Sequence, residues 1–402
     1  MIPRRKPRLY SGELSDILKL LFSGRVSRGE YVDKFETEFA GYIGTRFAFM
    51  TCSGRKGLEL ILDALRLETN DEILMPAYTL KDLVFLIRDK GFAPRLVDVE
   101  PDSFNIDPRL IEKSITPRTK AILATHIFGL SCNIERISAI AARHDLKVIE
   151  DCAHGLGAKY KGKLAGSYGH AAFFSFETPK LINCFGGGMV TTNDEVIAAR
   201  LRRSVAGQSS TCGIIGKLFL NYLEYLLIIS PVYPLMLMAF MFEATSRGIS
   251  RLYLSAHNKT RIRNPGASNL QALMGLRQLA ALEKKNAMRN AKARELIVNL
   301  PAGVSAQTSS EDPGRVFYFL VVKLYGSRDI DQIRRRLLLR GIDAGIKGEI
   351  TDNCAQFEGP PAEFPVSTGI SASTLLLPLF DGLTASQMHA ITRELNAVIK
   401  NA

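Results

Sequence analysis

The chain lacks the marks of several protein classes. Its six cysteines, Cys52, Cys132, Cys152, Cys184, Cys212 and Cys354, form no CxxC pair and no Cys/His spacing of the zinc type. Several lie in apolar stretches, where a free thiol acts as a small hydrophobe. No metal is expected, and the pattern suits a reducing, cytoplasmic compartment. The amino terminus, Met1-Ile2-Pro3-Arg4-Arg5-Lys6, runs into a mixed stretch with Glu13 and Asp16 rather than a continuous apolar region, so it does not read as a secretory signal and export is not expected. Internal repeats and nucleic-acid motifs are also lacking.

What is present is a chain of 402 residues, 46% hydrophobic and 23% charged. That length exceeds one ordinary domain and allows a large core, so two domains are expected. The net charge of +12 favours anionic partners such as phosphorylated substrates, nucleic acid or lipid headgroups, and does not choose among them. Arg334, Arg335, Arg336 and Arg340 read as the solvated face of a helix whose apolar side is Ile333, Leu337, Leu338 and Leu339.

In the first half, short apolar segments alternate with amphipathic ones. Strands are expected at Phe47 to Thr51, Glu72 to Met75, Arg95 to Val99, Ala121 to His126, Lys147 to Glu150, Ala171 to Phe176 and Met189 to Thr192. Helical spacing at Leu58 to Leu65 and Asn133 to His144 supplies connectors, the signature of a mostly parallel seven-stranded sheet in an α/β fold. Ligands of such sheets collect at the carboxyl ends of strands, where Ser53, Asp151 and Ser175 fall. After about residue 265 the texture changes. A long helical pattern from Asn269 to Asn299 is followed by a strand at Phe317 to Leu324 and a basic helix near Asp329 to Arg340. A strand at Thr374 to Leu377 and a helix at Ala385 to Lys400 complete a smaller α+β unit. The expected division is 1–264 and 265–402, with a cleft between.

The run FFSFETPKLINCFGGG, Phe173 to Gly188, places Lys180 on a loop leaving a buried strand. A lysine taken at random is a solvated surface residue. Here the setting is the one an amine needs to be partly desolvated and reactive near neutral pH, as in a Schiff-base lysine. Ser53-Gly54-Arg55-Lys56-Gly57 lies between the strand FAFMT and a helix expected to begin near Leu58, a place where backbone amides hold phosphate.

Together these blocks resemble the DegT/DnrJ/EryC1/StrS sugar aminotransferases, pyridoxal-phosphate (PLP) enzymes of fold type I. The resemblance rests on VDVEPDSFNIDP (Val97 to Pro108), ITPRTKAI (Ile115 to Ile122), VIEDCAHGLGAKYKGKLAGSYG (Val148 to Gly169), FSFETPK (Phe174 to Lys180) and LLLPLFDGLT (Leu375 to Thr384). It implies that Lys180 holds the cofactor as a Schiff base and moves the proton. Asp151 then pairs with the pyridine nitrogen and keeps the ring an electron sink; alone, an Asp there reads as a helix cap. Ser53, Gly54, Arg55, Lys56 and Ser175 would take the phosphate, with Asn264 reaching it from the neighbouring subunit of a homodimer that shares its active sites. Asn264 before Pro265-Gly266 is otherwise an ordinary turn residue. His154 matches the position beside the ring, with His126 in support and His170 a weaker candidate. The chain departs from the family pattern where Arg55 and Lys56 replace Thr-Ala and where Gly186 and Gly266 replace Glu and Arg. Leu80 falls near the ring-stacking aromatic, with Tyr78 the nearest compensating aromatic.

From Tyr225 to Phe242 eighteen residues carry no charge, in an apolar insert of about 214–243 interrupted by Pro231 and Pro234. A helical pair packed at an interface or core, an interfacial membrane anchor flanked by Lys217 and Arg247, and a transmembrane span all remain open. The expected activity is transfer of an amino group, with L-glutamate as donor, to a keto or aldehyde carbon of a nucleotide- or lipid-linked sugar-like substrate. A related deoxysugar dehydratase is an alternative, although such relatives commonly carry histidine in place of Lys180. A catalytically silent scaffold is the other. The expected setting is cytoplasmic, with peripheral contact at the inner face of a membrane through the insert.

Overall fold

The computed structural model describes residues 1–5, 12–178, 180–206, 214–230, 232, 233, 235, 266–309, 314–326, 329–345 and 350–400. Strands of the first half are β1 (Phe47–Thr51), β2 (Glu72–Pro76), β3 (Tyr78–Thr79), β4 (Ala93–Val97), β5 (Thr119–Thr125), β6 (Lys147–Asp151), a small hairpin of β7 (Lys159–Tyr160) and β8 (Lys163–Leu164), β9 (Ala171–Ser175) and β10 (Gly188–Thr192). Seven of them form one sheet in the order β1-β10-β9-β6-β5-β2-β4. Strand β10 runs antiparallel to both its neighbours, and the other pairings are parallel.

Burial on both faces explains the near-continuous apolar strands. Side chains alternate sides along a strand, so Ala48, Met50, Ala172, Phe174 and Met189 enter one core cluster, while Phe49, Ala171, Phe173 and Val190 enter the opposite one. The first face is covered by α1 (Glu13–Phe22) and α2 (Glu30–Ile43). The other carries α3 (Gly54–Leu65), α4 (Lys81–Asp89) and, further on in the chain, Glu195–Val205. Helices α5 (Pro108–Ser114) and α6 (Ile134–Arg143) pack on Leu74, Ile122, Ala124 and Val148. Glu195–Val205 is α7, and the insert opens with α8 (Ile214–Ile229).

The continuous helical pattern expected from Asn269 to Asn299 is two helices, α9 (Asn269–Ala280) and α10 (Leu282–Val298), separated at Ala281. The pair passes from one core to the other, with Leu282 at the start of α10 still in the first. Leu270, Met274 and Leu279 pack in the cluster under the large sheet, whereas Ala293 and Leu296 pack in that of a smaller one. The smaller sheet has the order β11 (Val304–Ala306), β12 (Leu320–Leu324), β14 (Thr374–Leu377). It is backed by α11 (Ile330–Leu339), while α12 (Pro365–Ser373) precedes β14 and α13 (Ala385–Lys400) closes the chain. Strand β13 (Asp352–Asn353) pairs with β3 of the first half. Core membership therefore does not follow a boundary at residue 265, because α9 belongs with the large sheet. At the other end of the chain, Ile2 bridges to Ile342 and joins the small cluster.

Among the described residues no helix is long and apolar enough to cross a membrane. The 16 residues of α8 span roughly 24 Å, short of the ~30 Å apolar thickness of a bilayer.

Candidate active site

The carboxyl ends of β1, β6 and β9 bring the candidate residues together. Helix α3 begins four residues earlier than its apolar periodicity indicates, with Ser53 as its N-cap and the Ser53 hydroxyl accepting the Lys56 amide at 3.1 Å. Gly54, Arg55 and Lys56 thus form a first helical turn whose free amides point out of the helix end. The approach to β9 is close: a Cβ on Gly54 would lie 3.0 Å from the Ser175 Cβ and 3.3 Å from the Phe174 carbonyl oxygen. Across the same contact, a Cβ on Gly188 would meet the Phe174 oxygen at 2.6 Å and the Gly54 nitrogen at 2.7 Å. Glycine at both positions lets helix end and strand end form one cradle with Ser175 half-buried at its rim. The cationic side chains near it have carboxylate partners: Arg55 pairs with Asp82, and Lys56 reaches Glu59 at 2.9 Å.

Lys180 stands on the loop between β9 and β10. Phe176 donates to the Gly187 carbonyl at 2.9 Å and the Lys180 amide to that of Glu177 at 2.8 Å. Gln278 of α9 clamps the far side, its carbonyl oxygen accepting the Asn183 amide at 2.9 Å and its amide donating to Asn183 O at 2.6 Å. Lys180 is half-buried, with its ammonium 4.7 Å from the centre of the Tyr318 ring. Desolvation is the largest influence on it and outweighs the attraction of Asp151 and Glu177, lowering its pKa to about 8. An appreciable share of the amine is then unprotonated and nucleophilic near neutral pH.

Asp151 ends β6 and is 5% exposed. Burial raises its pKa above the usual carboxylate range, opposed by the Ala153 amide, which donates to it at 2.9 Å, and by the charge of Lys180. The preceding residue, Glu150, points to the other side of the sheet. Its two oxygens accept amides of Gly166 (2.8 Å), Tyr168 (2.8 Å) and Gly169 (2.7 Å), together with His126 Nε2 at 3.0 Å. Burial works against the charged form, but the His126 bond and these amides hold its pKa below the usual value. His126 Nδ1 accepts the Cys132 amide at 3.2 Å, so the proton resides on Nε2 and is donated to Glu150. His126, Glu150 and Cys152 are the group of potential metal ligands among the described residues. They are bonded among themselves: the Glu150 oxygens are engaged, and burial pushes the Cys152 thiol up to about 12.

His154 lies between two rings, Phe128 at 5.7 Å and Tyr318 at 4.4 Å, stacked with both. Desolvation, with Lys180 adding to it, holds the imidazole neutral well below its ordinary pKa. Its Nδ1 accepts the Phe128 amide at 3.4 Å, which leaves Nε2 as the donor.

Tyr318 gave no sequence signal, because in VFYFLVV it reads as one more strand residue. Arg289 fixes it, donating to the carbonyls of Phe317 (3.1 Å) and Tyr318 (2.7 Å) beside Asp381. The structure sets Tyr78, the expected compensating aromatic, one ring away: it packs edge-on against Phe104 and Phe128 at 6.3 Å each and is 2% exposed. Leu80 precedes α4, half-buried against the core cluster on the α3 and α4 face of the large sheet. His170 is a scaffold residue, its Nδ1 accepting the Val148 amide at 3.0 Å. Asn264 lies outside the described residues.

The mixed seven-stranded sheet, with a lysine and a carboxylate near its carboxyl edge beside a helix-end cradle, has the architecture of the fold type I PLP-dependent aminotransferases. The chain belongs to the DegT/DnrJ/EryC1/StrS aminotransferase family, whose model it matches over residues 8–220 and 241–396. The gap, 221–240, falls in the apolar insert. GDP-perosamine synthase of Caulobacter vibrioides is 40% identical over 197 residues, 49% of this chain and 53% of that protein. A dTDP-3-amino-3,6-dideoxy-alpha-D-galactopyranose transaminase of Aneurinibacillus thermoaerophilus is 42% identical over 194 residues, 48% of this chain and 53% of that one. The chain spans about half the length of these curated relatives. The structure of S. venezuelae DesV, solved with a ketimine intermediate, superposes with TM-score 0.77 at 26% identity, covering 96% of this chain and 94% of that one. Aminotransferases of this family depend on PLP, and the residues here fit that group: a cradle that any side chain on Gly54 would fill, an amine of lowered pKa and a buried carboxylate.

Proposed function

We propose that the protein is a PLP-dependent aminotransferase that moves an amino group, with L-glutamate as donor, onto a keto or aldehyde carbon of a sugar-like substrate. The reading rests above all on Lys180, a half-buried amine lowered to about 8 and electrostatically coupled to Asp151. The bound cofactor supplies an electron-accepting ring that stabilises negative charge at the donor carbon.

The residues divide the remaining work. Lys180 would hold the cofactor through its amine and, when free, would move the proton at the donor carbon. Its lowered pKa suits both tasks. Asp151 would pair with the ring nitrogen and favour its protonated form. Ser53, Gly54, Arg55, Lys56 and Ser175 take the phosphate through hydroxyls and the amides of the α3 end, the side chains of Arg55 and Lys56 being engaged with Asp82 and Glu59. His154 offers Nε2–H to the cofactor from between Phe128 and Tyr318. Asn264, outside the described residues, would by the family resemblance take the phosphate of a second subunit, which would make the active unit a homodimer. The curated relatives are named for GDP- and dTDP-linked sugars, and an anionic nucleotide-linked keto sugar suits a chain of net charge +12.

The test is the visible spectrum of the PLP-reconstituted protein before and after L-glutamate. The expected result is loss of the lysine-linked band and gain of pyridoxamine phosphate absorption, followed by recovery on adding a keto-sugar nucleotide. A band that glutamate leaves unchanged would remove glutamate as donor, and absence of any lysine-linked band would leave the scaffold reading in its place.

A further inference from the structure

Two helices expose apolar stripes that the other described residues leave uncovered. On α1, Leu14, Leu18 and Phe22 recur at helical spacing and are 55%, 43% and 88% exposed, while Ile17 and Leu20 on its other side are buried. On α8, Phe219, Leu223 and Leu226 repeat the pattern at 68%, 53% and 56%, and Val232 and Leu235 continue it beyond the helix end. Both helices sit on one core cluster, α1 through Ile17 and Leu20 and α8 through Tyr222, whose ring lies 5.9 Å from Phe185. A buried carboxylate ties the two regions together: Asp343 accepts Arg4 at 2.9 Å and the Tyr233 hydroxyl at 3.0 Å. The amino-terminal arm and Tyr233 of the insert therefore meet at one point. Apolar exposure on this scale marks an interaction surface.

The sequence around the stripes identifies the occupant. Residues 1–25 hold Arg4, Arg5, Lys6, Arg8, Lys19 and Arg25 against Glu13 and Asp16. Residues 207–265 hold Lys217, Arg247, Arg251, Lys259, Arg261 and Arg263 against Glu224 and Glu243. These two stretches thus carry eight of the chain's net +12 charges. An anionic lipid surface takes up both properties at once, since headgroups attract the basic residues while the stripes enter the acyl boundary. The 16-residue α8 is too short to cross a bilayer but long enough to lie in its surface.

We propose that the face formed by α1 and α8 docks on an anionic bilayer surface and holds the protein there without spanning it. Substrate identity has no part in the argument, so failure here leaves the proposed function standing. The chain contains no tryptophan, so Phe219→Trp gives the full-length protein a single reporter at the centre of the stripe. Vesicles of phosphatidylcholine with phosphatidylglycerol, at low salt, are expected to shift its emission to the blue, and brominated lipids to quench it. Pure phosphatidylcholine vesicles are expected to bind at least about tenfold less, and high salt to reverse most of the binding. Replacing Leu14, Leu18 and Phe22 by Ser in that reporter protein is expected to lower partitioning by about tenfold or more with the cofactor spectrum unchanged. Emission that ignores anionic vesicles would overturn the proposal. So would emission already blue without lipid and red-shifting on dilution, which would assign the stripe to a second copy of the chain.

Discussion

The edge of the large sheet and the outer face of α1 and α8 depart from ordinary solvent partition in opposite directions. At the sheet edge, charge is buried: Glu150 is 0% and Asp151 5% exposed. Each charged group there has a named internal partner, whether amides for Glu150, Ala153 for Asp151 or the opposing Asp151 charge for Lys180. On the outer face apolar side chains are exposed, with Phe22 at 88%, and the described fold does not cover them. Compensation within the chain marks a site built to do chemistry on a small molecule. Exposure without it marks a surface built to meet something larger.

The sharpest break in that comparison comes at Lys180. Lys180→Ala is expected to lower transamination on the order of 10³-fold or more while the fold survives, because removing a desolvated cation relieves strain rather than creating it. Turnover by that variant would end the catalytic reading. Asp151→Asn comes next, with a loss of about 10²-fold or more. Since the Asp151 charge raises the pKa of Lys180, the variant should also move the lysine's titration below about 8, measured as the pH dependence of amine labelling in the cofactor-free protein. A merely structural Asp would leave that titration unmoved.

Stability separates the two regions further. Phe174→Ala, at a fully buried ring packed on Phe39 at 4.9 Å, should cost about 3–5 kcal/mol in denaturant unfolding. Phe219→Ser on the outer face should change stability by less than about 0.5 kcal/mol; an equal cost at both would show that the stripe is covered after all. The smallest effect is in pH. Native Lys180 releases its proton near about 8, whereas the unfolded chain keeps it up to the ordinary lysine value. The unfolded state then binds more protons over that window, so stability of the cofactor-free protein should rise with pH above about 8. On the acid side, His154 resists a proton that the unfolded chain accepts, so stability should fall as pH drops through the ordinary histidine range. Thermal unfolding across pH checks both, and Lys180→Ala should flatten the alkaline rise alone.

The strands of the large sheet were legible because burial on both faces writes itself as short apolar runs. The placements at Ser53, Asp151 and Ser175 followed, since each is the next residue at a strand end or beyond it. Helix α3 starts at Gly54 rather than near Leu58 because its first turn, Gly54-Arg55-Lys56-Gly57, is chosen for close backbone approach and carries no apolar period. The division of α9 from α10 was hidden because two different cores receive leucines at one spacing. Contacts between distant parts of the chain left no local trace: Tyr318 against His154, Gln278 against Asn183, and Arg4 and Tyr233 on Asp343 join residues more than ninety positions apart. Tyr78 was the nearest aromatic in sequence, but the aromatic at Lys180 comes from the small unit.

The most direct measurement is borohydride trapping of the PLP-reconstituted protein followed by peptide mass mapping. The expected result is one reduced cofactor adduct, on Lys180, and none in Lys180→Ala. An adduct on another lysine, or none in the unaltered protein, would contradict the assignment of this edge of the sheet as the active site.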